Sequence, residues 1–136
     1  MDLPLYDDSC AAPPPDELLR GIAEFNAGEW FECHETLEDL WAGERRAVRS
    51  LYQGMLHVAV ALHHWRGGNY GGACRLLESG ARMLEQVSPV CQGVDTASLA
   101  AGARLVREAL VSLGEDRMTE LDPALIPHVR LAASPR

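Results

Sequence analysis

Residues 30–41 read WFECHETLEDLW, and wound as one helix they decide how the chain folds. At about 100° per residue, His34 and Glu38 project one turn apart on the same side. Trp30, Phe31, Leu37 and Trp41 share that side. A core-facing stripe that carries an imidazole and a carboxylate needs partners for both, because a buried polar group left alone is costly. The stretch therefore predicts an amphipathic helix packed against other helices, with a polar site in the seam.

Punctuation on either side marks four more helices. Asp16 and Glu17 follow Pro15 as a first-turn signal, and Leu18, Leu19, Ile22 and Phe25 recur at helical spacing before Asn26-Ala27-Gly28. After the central helix (Glu29 to Trp41), a long third helix is expected from Glu44 to Arg66, ending at Gly67-Gly68. Asn69 can cap a fourth that runs to Val87, before Pro89. Asp95 or Thr96 can cap a fifth, spanning residues 95–113 and ending at Leu113-Gly114. Residues 1–14 read as an irregular arm and 114–136 as a mostly irregular tail, whose Leu121, Leu125, Ile126 and Val129 can pack back. No strand is expected. The fold class is all-α, one domain over residues 1–136, a compact array of about five helices built from antiparallel hairpins. A weak echo supports the hairpins: Phe25, Gly28, Trp30, Leu37 and Glu38 align with Trp65, Gly68, Tyr70, Leu77 and Glu78 at a spacing of 40 residues.

Composition bounds the function. The 136 residues suffice for one core, and 47% are hydrophobic. The net charge is −8 and every one of the 12 basic residues is arginine, with no basic stripe, so neither nucleic acid nor a membrane is an expected partner. The acidic N-terminal stretch has no apolar signal segment and no run reaches spanning length. Cys10, Cys33, Cys74 and Cys91 form no C-x-x-C pair, which points to reduced thiols and a cytoplasmic location. Cys33 and Cys74 read as helix-packing residues.

The third helix extends the polar stripe. Gln53, His57 and His64 follow i, i+4 and i+11, close to three full turns, and Leu51, Met55, Val58 and Leu62 take the other side. Antiparallel packing on the second helix brings them toward His34 and Glu38; His63 should point away. Imidazoles and a carboxylate on facing helices suit a divalent metal such as Zn²⁺, Mn²⁺, Fe²⁺ or Ni²⁺. The plainer reading is a buried network of His34, Glu38, Gln53 and His64 that fixes helix register. Glu35, at the edge of the stripe, could act as a general base; Glu32 and Asp39 lie on the wetter face. Trp30, Trp41 and Trp65 read as core or pocket walls. Gly71-Gly72 lacks the Lys and Ser/Thr of a phosphate loop, so no nucleotide or organic cofactor is expected. His128 reads as a surface residue.

The string F-E-x-H-E-x-x-E-x-x-W at Phe31, Glu32, His34, Glu35, Glu38 and Trp41 continues with Gln53-Gly54, His64, and the turn Gly68, Asn69, Gly72, Ala73. Together these resemble the prokaryotic domain-of-unknown-function family 309, small all-helical proteins often labelled predicted metal-dependent hydrolases. The resemblance covers roughly residues 17–86. It implies a metal-dependent hydrolase in which His34, Glu38 and His64 hold the ion and Glu35 activates its water. Gln53 or His57 would complete the shell, with Glu32 and Trp41 supporting the pocket. The alternative is a non-enzymatic helical-hairpin interaction module with the same residues as an internal clasp. The partner would be a small molecule or a protein, and a homo-oligomer is open.

Overall fold

The computed structural model describes residues 7–132. Five α-helices follow in order: α1 (Asp16–Asn26), α2 (Trp30–Trp41), α3 (Arg49–Arg66), α4 (Tyr70–Glu85) and α5 (Thr96–Leu113). Each packs on the next, so the chain is a run of adjacent helix pairs. The repeated turn is real: Gly28 and Gly68 close the α1–α2 and α3–α4 corners at φ +76° and +86°, a conformation that favours glycine. Asn69 caps α4 by accepting the Gly72 N–H at 2.9 Å, and Asp95 caps α5 by accepting from Ser98 at 3.0 Å.

The core lies where these pairs meet. Leu18, Phe25, Leu37, Leu51, Met55, Leu62, Leu77, Leu84, Leu99 and Leu110 are essentially inaccessible. Deleting such a side chain to alanine costs about 2–5 kcal/mol. The α3–α4 seam is the tightest. A Cβ on Gly54 would stand 2.7 Å from Leu84 Cγ, and one on Gly80 would stand 3.0 Å from the Gly54 carbonyl oxygen. Only hydrogen at both positions lets the two backbones come this close.

Four expectations about the fold need correction. α3 starts at Arg49 rather than Glu44, because Glu44 turns its carboxylate onto the N–H groups of Arg45 and Arg46 at 3.1 and 3.0 Å and holds a turn there. α4 ends at Glu85, two residues before Val87. A two-stranded hairpin, β1 (Val90–Cys91) and β2 (Val94–Asp95), stands where no strand was expected. The tail joins it: Ala132 N–H donates to the Gly93 carbonyl at 2.7 Å, and Asp95 N–H to the Arg130 carbonyl at 2.9 Å.

The fourth correction concerns the cysteines. Cys10 and Cys91 form a disulfide across 81 residues of chain, so the expectation of reduced thiols fails for that pair. Spacing along a chain says nothing of distance once the arm folds back; residues Ser9–Ala11 form a 3₁₀ turn beside the hairpin. Cys33 and Cys74 are free thiols. Burial, with the charge of Glu24 adding, pushes the Cys33 thiol up to about 12, as suits a packing residue. The arm's residues 1–6 and the tail's residues 133–136 lie outside the described part. Two 3₁₀ turns, Glu115–Glu120 and Pro123–Leu125, interrupt the rest of the tail. Leu121 and Val129 pack into the core, Leu125 and Ile126 pack against it in part, and His128 is exposed. Among the described residues no helix is long and apolar enough to cross a membrane.

Candidate functional site

The seam between α2 and α3 is closed at both ends by stacked rings and guanidinium groups. Arg66 lies 4.3 Å over the Trp30 ring, and Arg49 lies 4.5 Å over the Trp41 ring. The start of one helix meets the end of the other, so the pair is antiparallel. Between these ends two hollows open. One, about 210 Å³, is lined by Trp30, Phe31, His34, Val60, His63 and His64. The other, about 150 Å³, is lined by Glu38, Trp41, Gln53, Leu56 and His57. One residue from each hollow spans them: His34 Nε2 stands 3.9 Å from Glu38 Oε2, with side chains 28% and 58% exposed. At that distance and exposure the pair is a loose contact rather than a locked bond.

The expected residues therefore divide. His34 and His64 share the first hollow; Glu38, Gln53, His57 and Trp41 share the second. Glu35 and Glu32 belong to neither. They line a separate hollow of about 490 Å³ between α1 and α2, with Arg20, Glu24, Thr36 and Asp39, and Glu38 borders it too. One residue along a helix is a turn of about 100°, and that rotation carries Glu35 from the imidazole side to the flank that α1 covers.

His63, expected to point away, lines the first hollow, and this is a correction. The helix rotates it off the stripe, but Phe31 reaches across from α2 and stacks on it at 5.8 Å between ring centroids. Phe31 also stands 5.8 Å from the His34 ring. An adjacent His-His pair opposite an aromatic was the signal in the sequence that could have found it.

The imidazoles differ in how they are held. His57 Nδ1 is 2.8 Å from Ser79 Oγ on α4, and burial keeps its pKa below the ordinary histidine value. His64 Nδ1 is 3.4 Å from Asn69 Nδ2; burial lowers its pKa, and His63 and Arg75 lower it further. A Cβ on Gly72 would stand 2.9 Å from the His64 ring, so the turn is shaped around it. His34 has no such partner: its Nδ1 is buried without a hydrogen bond. The indole N–H groups of Trp30 and Trp41 are in the same condition. Glu24 Oε1 on α1 and Arg107 Nε on α5 are likewise buried without a partner, so the condition is not confined to this seam.

The donor set does not fit a metal centre as it stands. Catalytic and structural zinc sites take three or four protein ligands, while His34 and Glu38 approach each other as a pair at 3.9 Å. Among the described residues, no three His, Cys, Asp or Glu side chains come together in a group that could hold an ion.

Fold and seam define a small domain of stacked helical hairpins with an aromatic- and imidazole-lined groove. Residues 18–76 of the chain match the model of the DUF309 family, described as a domain of unknown function. Among similar proteins, the uncharacterized protein YpuF of Bacillus subtilis (strain 168) is 38% identical over 73 residues, covering 52% of this chain and 42% of that protein. An uncharacterized protein of Aquifex aeolicus (strain VF5) is 31% identical over 72 residues, covering 52% of this chain and 20% of its own length. The chain thus matches less than half of each of these relatives. The family match includes the whole of α2 and α3, the two walls of the groove.

Proposed function

We propose that the α2–α3 groove is a binding site for a small molecule with a flat apolar body. The observation that carries this reading is the hollow itself, which stays open between α2 and α3 and is walled by Trp30, Phe31, Val60 and three imidazole rings. A closed polar clasp would have filled that space, whereas His34 meets Glu38 only at 3.9 Å. Trp30, Phe31 and Val60 offer apolar walls, and the rings of His34, His63 and His64 complete the lining. At about 210 Å³ the hollow is smaller than the roughly 300–1,000 Å³ of drug-sized pockets, so the occupant is small or only partly enclosed.

The metal-dependent hydrolase is a second reading of the same groove, favoured by the approach of His34 Nε2 and Glu38 Oε2. It needs a third ligand, for which His64 is the candidate, and a base other than Glu35 unless α2 rotates. A protein side chain entering the hollow is the non-enzymatic form of the proposal, favoured by Phe31, which is 49% exposed at the rim.

The test is a titration of isotope-labelled protein with imidazole, benzimidazole and similar planar aromatics, read at the histidine ring resonances. Saturable shifts at His34, His63 and His64 are expected, and His34→Ala should weaken them. Shifts confined to other histidines, or none, would remove the proposal. Separate arms use Zn²⁺, Mn²⁺ and Ni²⁺. Metal binding tighter than about 10 µM (roughly 7 kcal/mol) that His34→Ala abolishes would replace the organic ligand with a metal.

A further inference from the structure

α3 starts without a capping side chain of its own, since Val48 at its N-cap makes no such bond. The first N–H groups of the helix, on Arg49, Ser50 and Leu51, close on the carbonyls of Arg46, Ala47 and Val48, so the helix grows out of a turn. The N-terminal arm supplies acceptors for the N–H groups of that turn. Asp7 Oδ2 accepts the Ala47 N–H at 2.8 Å, and Ser9 Oγ accepts the Val48 N–H at 3.0 Å. Asp7 is itself fixed by Ser9, accepting the Ser9 backbone N–H at 2.9 Å and its hydroxyl at 2.5 Å. The next residue, Cys10, is bonded to Cys91 of the hairpin. The Cys10 carbonyl accepts the Gln92 N–H at 2.7 Å, and the Gln92 side chain accepts the Tyr52 hydroxyl of α3 at 2.7 Å. Arm, disulfide and hairpin thus form a closed clip around the first turn of α3. The first residue of that helix is Arg49, whose guanidinium lies over Trp41 at the end of the groove.

We propose that the Cys10–Cys91 disulfide is a redox-sensitive clip, whose reduction by a dithiol frees the arm, releases the turn that leads into α3 and loosens the Arg49–Trp41 stack at the groove. The reductant's first thiolate attacks the sulfur of Cys10, the more exposed partner; Cys91, fully buried, leaves as a thiolate and takes a proton. The reductant's second thiolate then attacks its own sulfur in the mixed disulfide and releases Cys10. Two electrons and two protons pass to the protein, which gains two thiols, and the reductant leaves as a disulfide. The release of the arm stands apart from any ligand; its effect on binding rests on the groove being the functional site.

The test is residue-resolved hydrogen exchange on the full chain, with and without dithiothreitol. Reduction should cost the Ala47 and Val48 amides about tenfold in protection, the scale of a lost helix cap, and shift the Trp41 indole resonance. The Ala103 and Val106 amides, in the middle of α5, should hold theirs. Cys10→Ser under oxidising conditions should behave as the reduced protein does. Asp7→Asn with Ser9→Ala should lose the same protection with the disulfide intact. Equal protection at Ala47 and Val48 in both redox states would overturn the clip. So would a uniform loss through α3, α4 and α5, which would make the disulfide a staple of the whole fold. A clip that opens while the Trp41 resonance stays still would overturn the link to the groove. None of these readings uses a ligand, so failure of the clip and failure of the binding proposal are distinguishable.

Discussion

α3 has two working faces, and they are built in opposite ways. Toward α4 it presents Gly54, where an added Cβ would sit 2.7 Å from Leu84, and the seam closes nearly backbone to backbone. Toward α2 it presents Gln53, Val60, His63 and His64 against tryptophan, phenylalanine and histidine, and the seam stays open in two hollows. The glycine seam leaves no space and holds fully buried Leu77 and Leu84. The aromatic seam leaves space and polar atoms without partners. One helix can thus anchor the fold on one side and offer a site on the other. The difference says where substitutions should cost stability and where they should cost binding.

The largest effect is expected where the seam is closed. Gly80→Leu must push its side chain into Val58 and the Gly54 carbonyl, only 2.8 and 3.0 Å from the first added carbon. Neither backbone can yield without separating the helices. A loss of about 3 kcal/mol or more is expected, at the upper end for overpacked cores, read as a fall in the urea midpoint. A midpoint equal to the parent's would mean that α3 and α4 are not held at this distance.

A smaller effect belongs to His57, which touches both seams. Its pKa is depressed by burial, so above about pH 6.5, the ordinary histidine value, neither folded nor unfolded chain holds the proton and stability is full. As pH falls below that value the unfolded chain protonates first, and stability drops until the folded-state pKa is passed. His64 adds to the loss in the same direction, through burial and then His63 and Arg75. His57→Gln should flatten this acid limb in urea melts taken between about pH 7 and pH 5. An unchanged slope would show that His57 is solvated in the folded protein.

The helices and their corners were legible in the sequence, while the Gly54–Gly80 approach that closes the α3–α4 seam was not. Asn69 and Asp95 announced their helices because a capping side chain acts within three residues of itself. Gly28 and Gly68 announced the corners by the conformation that only they adopt cheaply. The start of α3 was misread because the Glu44 carboxylate took over N–H groups that a longer helix would have organised. Strands of two residues are too short to show alternation, and only Gln92-Gly93, with both residues at positive φ, hinted at a hairpin. The disulfide and the hold of Asp7 and Ser9 on the turn before α3 depend on contacts 81, 40 and 39 residues apart, which local pattern does not reach. In the groove, helical rotation grouped His34 with Glu38 and placed His64 opposite. It did not foresee that Phe31 would draw His63 in, nor that α1 would take the flank carrying Glu35.

The most direct test of the central claim is the stability of His34→Ala. If the aromatic seam is kept for an occupant, His34 contributes little to folding. Its Nδ1 has no partner, and its contact with Glu38 is long and half in water. Chemical denaturation of the variant should then give an unfolding free energy within about 1 kcal/mol of the parent, the range of exposed ion pairs. A loss of about 3 kcal/mol or more, as when one partner of a buried charged pair is removed, would contradict the account and make the seam a structural clasp.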